Sequence, residues 1–179
     1  MKKNLIAIVI ATTSVVSGVS TSVFADNTIK FQGEVADQTC VVDINGNASS
    51  PMILLPTVPA SALVTAGSTA GTTNFTINIT GCTASTSATA IKTVFVGNNL
   101  NSHGRMGNTG SATNVSLQLV DPASPTTPLD LTGQTGSPGL NLAANATSAS
   151  YDYAVQYYAE GIAKAGSVLG SVQYAVSYQ

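Results

Sequence analysis

The sequence predicts a single all-β sandwich. Apolar and polar residues alternate in several short runs, turn chemistry separates those runs, and no helical period of convincing length intervenes. The clearest run is the last. Counting back by twos from Tyr178 gives Val176, Tyr174, Val172, Gly170 and Val168, the pattern of a half-buried strand. Chain ends stay ordered only when something holds them, so this strand should be pinned by a sheet, with a second protein as a further candidate holder.

Earlier elements follow in order. Ile29, Phe31, Gly33 and Val35 alternate with Lys30, Gln32 and Glu34, and Cys40 to Ile44 makes a second strand segment. Asn45-Gly46-Asn47 and Pro51 break it; Met52 to Leu55 is a short apolar run closed by Pro56 and Pro59. Phe75, Ile77 and Ile79 alternate with polar partners and lead into Gly81-Cys82. Ile91 to Val96 and Val115 to Val120 read as strands, with turn clusters at Gly97-Asn98-Asn99 and Gly107 to Gly110 between them. Residues 121–139 contain Pro122, Pro125, Pro128 and Pro138, which predicts a long loop with at most a short edge segment. Tyr151, Tyr153, Val155 and Tyr157 alternate, and Gly161 is expected to end that strand.

The chain opens on Lys2 and Lys3, continues through an apolar stretch from Leu5 to Ala11, and reaches Ser22-Val-Phe-Ala25. Basic start, short apolar core and small-residue site describe a secretory signal peptide over residues 1–25, too short in its apolar part to span a bilayer. Cleavage near Gly18 would instead extend the alternation through Val19, Thr21, Val23 and Ala25, but the later site has the better chemistry. The remainder carries Lys30, Lys92, Arg105 and Lys164 against 8 acidic residues. Its hydroxyls and amides keep it in solution, with little charge to oppose self-association. No basic patch exists to neutralise phosphates, so no nucleic-acid partner is expected. The two cysteines, Cys40 and Cys82, lie in the exported part, where an even count implies one disulfide between them.

Catalytic chemistry finds no purchase in this pattern. His103 is the sole histidine and sits in a Gly/Asn-rich turn, without the partners a general base or zinc ligand needs. No Gly-x-Ser-x-Gly elbow occurs. The tyrosines fall at strand spacing, which favours core packing over sugar stacking. The expectation is a protein that is not an enzyme and uses no metal or cofactor.

Three stretches resemble the type 1 fimbrial major subunits, the chaperone–usher pilin family. They are Phe31-Gln-Gly-Glu-Val35 leading to Cys40-Val-Val, Gly110 to Asp121, and Tyr153 to Gly161. Gly166 and Tyr178 occupy the places of the family's C-terminal Gly and penultimate Tyr. The resemblance implies an incomplete immunoglobulin-like sandwich, lacking its seventh strand, over residues 36–179. It implies completion by donor-strand complementation, with an apolar groove along Gly166, Val168, Val172, Tyr174, Val176 and Tyr178. A periplasmic chaperone would fill that groove first. At the outer-membrane usher, the N-terminal extension of the next pilin subunit would replace it.

The implied donor is residues 26–35, with Asn27, Ile29 and Phe31 facing the groove and Ile29 and Phe31 the best plugs. Only Asp26 to Phe31 precede or include the Phe plug, a shorter reach than related major pilins usually have. Asn27 stands where that family often uses Gly. A short donor would suit a minor, adaptor or terminating subunit, the alternative to a polymerising one. A tip adhesin is the third reading, although such proteins usually carry a separate lectin domain. The implied destination is the cell surface, as part of a fimbrium that supports adhesion, with any host receptor met only through the assembled fibre.

Overall fold

Alternation becomes ladder in the computed structural model, which describes residues 40–49 and 51–178. The described strands are β1 Val41–Ile44, β2 Thr69–Thr80, β3 Thr89–Gly97, β4 Met106–Gly107, β5 Thr113–Asp121, β6 Ser124–Pro128, β7 Ser137–Leu142, β8 Ala149–Lys164 and β9 Val172–Tyr178. One short 3-10 turn, Ala60–Leu63, joins them. The strands form two antiparallel sheets. The larger runs β1-β2-β8-β5-β4 with β6 also paired to β5, and the smaller runs β7-β3-β9. The expected strand over Ile29 to Val35 and the signal segment lie outside the described residues.

The inward rows of the two sheets make one core. Phe75, Ile77 and Ile79 of β2, Leu117 and Leu119 of β5, and Tyr153 and Val155 of β8 face Ile91 and Phe95 of β3 and Leu140 and Leu142 of β7. Tyr153, fully buried, is the hub. Phe95 meets its ring edge-on at 5.2 Å between centroids, and Tyr151 and Phe75 approach at 5.0 and 6.1 Å. Its hydroxyl donates to the carbonyl of Pro138 at 3.3 Å, so the polar tip is satisfied inside the core. The expected disulfide is present: Cys40 and Cys82 are bonded and tie the start of β1 to the end of β2. Closing a loop with a sequence separation of 42 stabilises the fold by about 4 kcal/mol in the chain-entropy account.

Three expectations need correction. Residues 121–139 are not simply a loop. β6 forms within them as the short edge segment, and β7 begins at Ser137 despite Pro138. The proline is tolerated because β7 is an edge, paired only with β3 among the described strands. Gly161 does not end its strand, because β8 continues to Lys164. A register shift opposite Thr113 and Val115 absorbs the irregularity there, and glycine suits a bulged segment. The C-terminal strand is also shorter than the alternation suggested: Gly166 to Ser171 carry no ladder, and β9 starts at Val172.

Candidate acceptor groove

An open sheet edge is a row of unpaired backbone groups, and proteins usually blunt such edges. The described edges follow that rule with one exception. β4 has two residues, β1 has four, β6 carries Pro125 and Pro128, and β7 carries Pro138 and Gly139. β9 spans seven residues with no proline, no charge and no register shift against β3. Among the described strands, β3 is the only one it pairs with.

Burial sets β9 apart from the side-chain direction as well. In the β3–β9 ladder, Ile91 lies opposite Tyr178, Thr93 opposite Val176, and Phe95 opposite Tyr174. The β3 members are 1%, 0% and 1% exposed. Their β9 neighbours, together with Val172, are only half-buried although they pack on the same core. A strand one place in from an edge buries its inward row, and β9 does not.

The segment 51–58 belongs to no ladder. Ile53 and Leu55 turn in against the core while Met52 and Leu54 turn out. Pro51, Pro56 and Pro59 punctuate it, and a strand peppered with prolines cannot serve as the missing central partner. The carbonyl of Pro56 instead accepts from the Tyr157 hydroxyl at 3.2 Å. A cleft of about 320 Å³ is lined by Val58, Leu63, Ala112, Val115, Ala163 and Val168 among others.

Of the residues predicted for the groove, Val172, Tyr174, Val176 and Tyr178 stand together on β9, half-buried. Val168 borders the cleft. Gly166 lies beside it with its backbone against Ser111 and Ala112, a contact that leaves no room for a Cβ. Asn27, Ile29 and Phe31 lie outside the described residues.

The sequence reading missed a polar cluster on the outer face of the larger sheet. The Glu160 carboxylate accepts from Asn101 Nδ2 at 2.7 Å and Ser116 Oγ at 2.6 Å. It also faces Arg105 at 3.5 Å and His103 at 3.6 Å. The Arg105 guanidinium lies 3.7 Å from the centre of the Tyr158 ring. The only sequence signal was the crowding of several of these residues into the turn 101–105. The carboxylate is held from four sides, by Asn101, Ser116, Arg105 and a mostly exposed His103, the arrangement of a structural clasp. No described helix is long and apolar enough to cross a membrane.

The chain matches the family described as Fimbrial protein over residues 29–179. It is 37% identical over 162 residues to the major fimbrial subunit SMF-1 of Stenotrophomonas maltophilia, covering 86% of this chain and 93% of that protein. It is 34% identical to the F17 fimbrial protein of Escherichia coli, covering 86% and 88%. In fold it is similar to the P pilus rod subunit PapA, with a TM-score of 0.56 at 14% identity, covering 78% of this chain and 99% of that one. The two-sheet sandwich, with β9 paired only to β3 among the described strands, thus belongs to a chain of known kind: this protein is a member of the fimbrial protein family, a subunit of chaperone–usher fimbriae, exported to the cell surface.

Proposed function

We propose that this chain is a polymerising structural subunit whose groove along β9 accepts the N-terminal extension, residues 26–35, of a neighbouring copy. The unblunted edge of β9 is the observation that carries the reading. Ile29 and Phe31 of the neighbour fill the positions that leave Val172, Tyr174 and Val176 half-exposed, and Asn27 follows at the shallow end. Each buried plug contributes ~1.5–3 kcal/mol, and each new ladder bond adds ~0.5–1.5 kcal/mol. A filled groove therefore opens slowly. Strand addition of this kind takes affinity from the main chain and register from alternate side chains.

Polarity follows from where the extension begins. The Cys40 amide is 3.0 Å from the Tyr178 hydroxyl, so in this reading the extension sets out from the Tyr178 end of β9. A fibre grows in a line when the neighbour's body sits at the other end. Its extension then runs antiparallel to β9, head to tail, the heterologous contact that generates open filaments.

Before assembly, a periplasmic chaperone occupies the same edge, and the outer-membrane usher is where the exchange takes place. The high identity to a major subunit along most of the chain supports a repeated fibre component over a single-copy adaptor, terminator or tip adhesin. Adhesion belongs to the assembled fibre. The role is architectural, with no catalysis.

Fimbriae purified from cells should contain this chain in a heat-resistant ladder on denaturing gels. Phe31→Arg should abolish its incorporation, because a guanidinium cannot enter an apolar pocket without losing several kcal/mol of hydration. Incorporation of the variant at the normal level would refute the donor role of residue 31.

A further inference from the structure

The hydrogen bond between the Cys40 amide and the Tyr178 hydroxyl joins residues 138 positions apart, at 3.0 Å. It sits where three things meet. Cys40 precedes β1, on the N-terminal side from which the extension, residues 26–35, is connected. Its side chain is fixed by the disulfide to Cys82. Tyr178 ends the ladder of β9 on β3, opposite Ile91. Main chain and side chain of residue 40 are therefore held separately, the first by the tyrosine hydroxyl and the second by sulfur. A tether with one fixed point swivels about it, and a second point removes the swivel.

We propose that Tyr178 is a positioning residue for donation. Its ring belongs to the acceptor groove, while its hydroxyl sets the direction in which the chain's own extension leaves toward the neighbouring subunit. This rests on the fibre reading above and deepens it, because one side chain then serves both of a subunit's contacts. The ring packs on the core with Val172, Tyr174 and Val176. The hydroxyl lies at the rim, on the amide. Fixing the exit direction raises the fraction of encounters in which the extension lies along the next groove, the usual gain from preorganisation.

Tyr178→Phe separates the two roles, since it keeps the ring and removes the oxygen. Full-length Phe31→Arg serves as an acceptor that cannot donate. Mixed with it, Tyr178→Phe should form heat-resistant pairs about two- to tenfold more slowly than the wild-type chain does, the factor one net hydrogen bond is worth. In the reverse arm, a full-length chain carrying both Tyr178→Phe and Phe31→Arg should slow as an acceptor of wild-type donors by clearly less than the donor arm slows. Exchange of the Cys40 amide, read by NMR, should quicken by a similar factor while the β3–β9 ladder amides stay protected.

Equal slowing in both arms would place the hydroxyl in the groove and overturn the proposal, as would no slowing in the donor arm or unchanged protection at Cys40. A wild-type chain that forms no pairs with Phe31→Arg would fail at an earlier step. That outcome would remove the fibre reading itself and the proposal with it.

Discussion

Tyr153 shows how much one side chain settles. It contributes the central ring of the core, and its hydroxyl is satisfied by a β7 carbonyl. Burial pushes its phenol above the ordinary tyrosine value. A raised phenol stabilises the fold fully below the unfolded-state value near pH 10, and the contribution is lost as pH rises through the folded value. Tyr153→Phe should therefore cost about 1 kcal/mol at neutral pH, read by denaturant unfolding. It should also flatten the alkaline fall in stability expected of the wild-type chain. An alkaline limb of unchanged steepness would assign that fall to other groups. The period-2 pattern placed Tyr153 on an inward row, since a strand flips faces at every residue. Its hydroxyl partner was not legible, because that partner is backbone brought close only by folding.

At the scale of elements, the misread segments share a cause. The rule that prolines end strands is a rule about central strands, and sequence does not announce which strands are edges. β7 is an edge, so Pro138 costs it little, and Gly139 follows for a different reason. Its φ is +146°, and an added Cβ would lie 2.5 Å from the Tyr151 ring. Gly139→Ala should therefore destabilise the domain by ~1–3 kcal/mol through strain and overpacking, measured as a lowered denaturation midpoint at unchanged slope. A neutral effect would mean that β7 shifts freely on β3. Gly161 misled in the opposite sense. It looked like a terminator, yet β8 runs through it where the register against β5 slips. By contrast, β3, β5 and the second half of β2 were plain from their Ile, Leu, Val and Phe alternation. The first half of β2, from Thr69 to Asn74, was hidden because threonines and small residues carry no apolar signal.

For the molecule as a whole, the informative feature is an asymmetry between edges. Proline, shortness or irregularity blunts the others, whereas β9 is long and plain. The alternation from Val172 to Tyr178 was readable in the sequence, and so was the lack of charge. What sequence could not show is that the row stays half-buried after folding, because exposure depends on which strands lie alongside. Nor could it show that residue 40 and Tyr178 meet.

The most direct test of the central claim places a photo-crosslinking amino acid at position 31 and assembles fibres from a mixture of light and isotopically heavy chains. Mass spectrometry of the crosslinked peptides then reports which surface of which copy residue 31 touches. The account predicts light–heavy crosslinks into residues 172–178 of a second copy. Crosslinks confined within single chains, or landing on another surface of the neighbour, would contradict it.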